Sequence, residues 1–171
     1  MSGDRASWLA LNQPYPGAAE ALRDCPFPFY IASSKAGHRV SALLRELLGI
    51  DIPEGSPRLF ASLLPPEEKK AEALRAIERR PAASDPATRL HFVDDRLETL
   101  RAVRAAGDLG RWSLHLADYG YAAPGEVEAA RAEGFSVLGL RSFTELLRWG
   151  LVQGVDDGCE PTREEVDASV A

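Results

Sequence analysis

The sequence predicts an α/β domain built on a parallel sheet, and three observations carry that prediction. Short apolar runs rich in strand formers alternate with longer stretches in which apolar residues recur at helical spacing. Breakers punctuate the alternation where helices should stop or start, as at Gly49, Pro65–Pro66 and Gly134. At 171 residues, with 45% hydrophobic and 27% charged, the chain has the size and composition of one domain with a real core.

The elements follow in order. Pro16 and Gly17 open a short helix through Ala18, Ala21 and Leu22, which the Pro-rich stretch Cys25 to Pro28 ends. Phe29 to Ala32 is an apolar run that reads as a strand. A helix is predicted from about Lys35 to Leu48, because Val40, Leu43, Leu44, Leu47 and Leu48 share helical spacing and Gly49 stands at the stop. Leu59 and Phe60 make a weaker strand. Pro65 and Pro66 start a helix with Glu67 and Glu68 in its first turn, where the helix dipole favours them, and Ala71, Leu74 and Ile77 form its buried stripe. Residues 81 to 88 read as a loop. Leu90 to Val93 is the next strand, and a helix through Leu97, Leu100 and Val103 follows. Trp112 to Ala117 is a strand, Glu126 to Glu133 a helix, Phe135 to Leu140 the last strand, and Ser142 to Trp149 the last helix.

Three segments result: 1–16, a connector leading in; 17–152, the core; and 153–171, an acidic tail poor in large apolar residues, which is expected to be flexible. No internal repeat is seen. The formal net charge of −6 argues against a sequence-independent nucleic-acid binder, which needs a basic face. No run has the length of a membrane span, so no membrane partner is expected. Cys25 and Cys159 make neither a disulfide framework nor a metal knuckle, and a reducing compartment is the default.

Ligands of open α/β sheets bind beyond the C-terminal ends of the strands, so the residues there carry the functional argument. Ser33, Ser34 and Lys35 follow the first strand, Lys69 and Lys70 open a helix, and Asp94, Asp95 and Arg96 follow the third strand. A hydroxyl with the free N–H groups of a helix start suits phosphate oxygens. A lysine adds a point charge against the same anion. Paired carboxylates suit Mg²⁺, which takes oxygen ligands and shares them with phosphate. Each piece has a plainer reading. Ser33 can cap a helix, the lysines can be a solvated face, and the Asp pair can be turn chemistry. The order hydroxyl, lysine, acidic pair on successive units of one sheet is what joins them.

On these residues the sequence resembles the haloacid-dehalogenase superfamily of phosphohydrolases, in its phosphoglycolate-phosphatase-like branch of plastid and cyanobacterial type. FYIASSKAGHR looks like motif II, with Ser33 at the hydroxyl position and Lys35 at a lysine common in that branch. KKAEAL looks like motif III, with Lys70 the better match and Lys69 the alternative. LHFVDDRLETL looks like motif IV, the Mg²⁺-binding pair Asp94 and Asp95. NQPYPGAAEAL is similar to the segment that leads from cap to core. The resemblance covers roughly Trp8 to Trp149. It implies a Rossmannoid three-layer sandwich, phosphate binding by Ser33, Ser34 and Lys70, Mg²⁺ at Asp94 and Asp95, and a phosphorylated small molecule as ligand. Response-regulator receivers also use an acidic pair, but there it follows the first strand, whereas here it comes last.

The family's motif I, an apolar strand ending in Asp-x-Asp, supplies the nucleophile and the general acid and base. Nothing before Ser33 has that form. Asp4 and Asp24 stand alone, and GVDDGCEPT in the tail has Val155 in place of the first Asp. By resemblance this is the central strand, and both it and the cap are expected to be missing. Its loss would leave a slot about 9–10 Å wide between the motif II and motif IV strands. The strands close up, another segment fills the slot, or the chain continues upstream of Met1, which is the preferred expectation. Two functions follow. One is a Mg²⁺-dependent phosphatase core, inactive as it stands. The other is a non-catalytic binding or assembly subunit with a protein partner. The expected location is cytoplasmic, with plastid stroma as the alternative.

Other residues are read as structural. His38, His91 and His115 make no metal spacing, and Trp8, Trp112 and Trp149 read as packing residues. Tyr119, Gly120 and Tyr121 form either an aromatic turn or a substrate mouth. Arg96 either orients the acidic pair or forms a surface salt bridge.

Overall fold

A computed structural model describes Ser7, Leu9 and residues 11–123 and 125–150, so Trp8 and the tail 153–171 lie outside the described residues. The fold is α/β, and all strand pairings are parallel. In chain order the elements are α1 (Ala18–Arg23), β1 (Ile31–Ala32), α2 (Gly37–Leu48), β2 (Leu59–Phe60), α3 (Pro66–Glu78), α4 (Pro81–Ser84), β3 (Leu90–Asp94), α5 (Leu97–Ala105), β4 (Trp112–Ala117), α6 (Glu126–Ala132), β5 (Ser136–Leu138) and α7 (Leu140–Trp149).

The single sheet expected from the sequence is divided. β1 pairs with β2, and β3, β4 and β5 form a second sheet in that order. No hydrogen-bonded ladder joins β1 to β3 among the described residues.

Side-chain alternation assigns the helices to faces. Leu90 and Phe92 of β3 and Leu116 of β4 pack with Ala71, Leu74 and Ile77 of α3, with Leu97, Leu100 and Val103 of α5, and with Ala130 of α6. Tyr30 and Phe60 from the first sheet lean on this same cluster. Their neighbours Ile31 and Leu59 point the other way, against Val40 and Leu44 of α2. So α2 and α3 cover opposite faces. Two right-handed crossovers made on opposite faces travel in opposite directions. β2 therefore lies to one side of β1, and β3, β4 and β5 follow on the other. β1 and β3 each have a hydrogen-bonded neighbour strand on one side only among the described residues. On the α2 face, α1 packs against both α2 and α7, so its small buried residues Ala18, Ala19 and Ala21 lie over the middle of the layer.

The main core is set by α5 and β4. Leu97, Leu100, Val103 and Leu116 are essentially inaccessible. Burying each stabilises the fold by about 1.5–3 kcal/mol. The loop expected at 81–88 contains a single turn of helix, α4, with Pro81 at its first position, where the missing N–H costs nothing. Trp149, read as a packing residue, is 64% exposed near the end of α7.

Candidate functional site

The C-terminal end of β3 and the start of α3 meet through their side chains, while the C-terminal end of β1 runs into the loop that carries Ser33. Lys70 stands in the first turns of α3. The acidic first turn and Pro66 start that helix as the sequence indicates. Its phase sends Lys70 inward with Ala71 and Leu74, while Lys69 stays outside and pairs with Glu72 at 2.8 Å. The Lys70 ammonium forms an ion pair with Asp94 Oδ2 at the end of β3, and the two side chains are only 10% and 5% exposed. Asp94 Oδ1 accepts a hydrogen bond from the Arg96 N–H at 3.1 Å. Burial pushes the Asp94 carboxyl above the ordinary carboxylate range, with Lys70 and the Arg96 N–H pulling it back down.

Asp95 does not share this partner. Its Oδ2 accepts a hydrogen bond from the Tyr121 N–H at 3.3 Å, and a methyl group on Gly120 would sit 2.4 Å from its Cβ. The strand-end carboxylates take different partners, one an ammonium and the other a backbone amide, and the Asp95 charge still adds to the upward push on the Asp94 carboxyl. Arg96 makes surface ion pairs with Glu98 and Glu67, and only its backbone serves Asp94.

Ser33, Ser34 and Lys35 sit in the loop after β1. The helix starts later than expected, at Gly37 with Ala36 as its first flanking residue, so Ser33 caps no helix. The Ser33 hydroxyl instead accepts the Lys35 N–H at 3.1 Å. The loop after β2 leans back on this turn. The N–H groups of Ser62 and Leu63 donate to the carbonyls of Lys35 and Ser33, at 2.9 and 3.1 Å. Ser34 and Lys35 face solvent. The structure therefore brings Lys70 and Asp94 into contact, holds Asp95 on another partner, and keeps Ser33 in the turn after β1 with contacts to the loop after β2.

Asp94 and Asp95 have the oxygen-donor chemistry of a Mg²⁺ site, and each is held by its own partner. Among the described residues no group of three or more His, Cys, Asp or Glu side chains converges. Mg²⁺ is usually held by one or two carboxylates, with waters and phosphate oxygens completing its octahedron, so a pair of carboxylates is the protein share such an ion needs.

Sequence reading missed two features. Tyr119 packs edge-on against Tyr15 at 5.0 Å and against Phe143 at 5.6 Å, and burial pushes its phenol well above the ordinary range. The new features are the Tyr15 and Asp95 contacts of Tyr119–Gly120–Tyr121, for which an aromatic turn was one of the two readings of the sequence. Second, His91 and His115 stack on neighbouring strands with Nδ1 and Nε2 3.0 Å apart. Their outer nitrogens are buried without a partner among the described residues, and burial lowers His115 to about 4. The observed parallel register puts these two positions on one sheet face, opposite Leu90 and Phe92.

In comparisons with protein-family models, curated proteins and solved structures, nothing matches this chain.

Proposed function

We propose that the chain is a phosphohydrolase core of the haloacid-dehalogenase kind, a three-layer sandwich that keeps phosphate-side residues and lacks the nucleophile. The observation that carries this reading is the buried Lys70–Asp94 ion pair at the end of β3, with Ser33 in the turn after β1. In this reading Ser33, Ser34 and Lys70 approach the oxygens of a phosphorylated small molecule. Asp94 holds the ammonium in place. Without an aspartate to attack phosphorus, the chain makes no aspartyl-phosphate and turns over no ester. Mg²⁺ at Asp94 and Asp95 would need further oxygen ligands, which the resemblance places on the absent Asp-x-Asp strand.

Assay of p-nitrophenyl phosphate with Mg²⁺ tests the reading. No hydrolysis is expected, with inorganic phosphate bound weakly, at a Kd on the order of 1 mM, and binding lost in Lys70→Met. Mg²⁺-dependent hydrolysis that disappears in Asp94→Asn would contradict it. The unpaired inner edges of β1 and β3 favour a second reading, a non-catalytic binding or assembly subunit.

A further inference from the structure

We infer that a second ligand site, for a small aromatic carboxylate, lies at the opposite end of the strands from Lys70 and Asp94. Leu90 pairs with Trp112 at that end of the β3–β4 ladder, and Asp94 pairs with Leu116 at the other. A cavity of about 280 Å³ opens there, between the end of α5, the turn that leads into β4 and the turn before β5. It has the volume of roughly nine waters, which suits one substituted ring.

Missing side chains make the space. Gly107, Gly110 and Gly134 all line it, and a Cβ added at any of them meets nothing within 4 Å. Gly107 and Gly134 have positive φ, which already calls for glycine, but Gly110 does not. At Gly110 the absent side chain itself leaves the wall open. The apolar lining is Leu109 and Phe135, both almost out of water, with Trp112 and Leu114 half-buried beside them. Such a lining with a charged group at its edge takes a ring that carries one polar substituent.

Arg104 sets the sign of that substituent. Its guanidinium lies 3.8 Å over the Phe135 ring. Nη1 donates to the Glu133 carbonyl at 2.7 Å and Nη2 to Glu133 Oε2 at 3.2 Å. Arg101 donates to both oxygens of the same carboxylate, so one acid answers two guanidiniums. Nearby Asp108 is matched to Arg75. Glu98 and Glu126 act on Arg101, and none of the described residues that line the cavity is acidic. Arg104 uses two of its five N–H donors in these bonds and is 47% exposed, so donors remain for a ligand carboxylate. A monoanion matches its single charge, whereas a phosphate monoester brings nearly two.

Titration of the intact, isotopically labelled chain with sodium benzoate tests the site. Saturable shifts are expected at the Gly107, Gly110, Trp112 and Gly134 amides, with a Kd on the order of 1 mM. Benzamide keeps the ring and loses the charge, and acetate keeps the charge and loses the ring. Each should bind about tenfold more weakly or worse. Gly110→Phe fills the cavity and leaves Arg104 in place, so it should abolish the shifts. Arg104→Gln should weaken benzoate by a similar factor to the loss of charge in benzamide. Three results would overturn the site: no saturable shift at these amides, benzamide or acetate binding as tightly as benzoate, or benzoate binding retained in Gly110→Phe. Should Arg104→Gln fail to fold, the two analogues and Gly110→Phe still decide. The site owes nothing to Lys70 or Asp94 and phosphate is absent from the titration, so its failure and the failure of the phosphate reading are told apart.

Discussion

Lys70 reaches from the first turns of α3 to Asp94 at the end of β3, and the two charges neutralise each other almost out of water. Removing one partner strands the other. Lys70→Ala is expected to destabilise the fold by about 3–5 kcal/mol in urea unfolding. The double variant Lys70→Met/Asp94→Leu should recover most of that loss, because the desolvation cost of both ions disappears with the pair. Lys69→Ala, one residue away, should leave the midpoint unchanged, since Lys69 is a surface residue paired only with Glu72. Equal effects at 69 and 70 would contradict the assignment of Lys70 as the inward lysine.

The imidazole pair makes stability depend on pH. His115 is 4% exposed, and burial, then the neighbouring His91, lower its folded-state value from 6.5 to about 4. The unfolded chain therefore binds this proton more readily than the folded one. Stability contributed by neutral His115 is complete above pH 6.5 and falls as pH drops toward 4, by about 3 kcal/mol in all. Asp94 acts in the opposite sense. Its raised value makes the folded state the stronger proton binder, so acid relieves part of its burial cost. Comparing the chain with His115→Leu isolates the first effect, and the difference in unfolding free energy should shrink steadily over that window. A difference independent of pH would remove the buried neutral pair from the account.

Gly120 has a packing reason to be glycine. A Cβ there meets the Cβ of Asp95 at 2.4 Å, so Gly120→Ala is expected to cost about 1–3 kcal/mol and to shift the Asp95 and Tyr121 amide signals. Gly110, with nothing within 4 Å of an added Cβ, is the matched control and should accept alanine with little change. Similar losses at both positions would point to backbone entropy rather than contact.

The helices and strands were legible where local pattern and tertiary demand agree. The phase of Ala71, Leu74 and Ile77 gave α3 and sent Lys70 inward with them, and Trp112–Ala117 is a strand as its residues indicate. The start of α2 was misplaced because Ser33 has the chemistry of a cap, but the loop after β2 claims the Ser33 and Lys35 carbonyls and delays the helix to Gly37. The divided sheet is a long-range property that local pattern does not carry. The His91–His115 pair and the Tyr15–Tyr119 contact were also invisible in sequence order, since each needs the register of separate elements. The close approach of Asp95 to Gly120 and its hydrogen bond from the Tyr121 N–H are contacts that adjacency of the two aspartates does not reveal.

The central claim is that phosphate is met by Ser33, Ser34 and Lys70 at the divide between the sheets. Titrating the isotopically labelled chain with inorganic phosphate, while following every backbone amide, tests it most directly. The expected result is a saturable shift confined to Ser33, Ser34 and the first turns of α3, in the millimolar range and absent in Lys70→Met. Shifts scattered over surface lysines and arginines, or a site that survives in Lys70→Met, would contradict it.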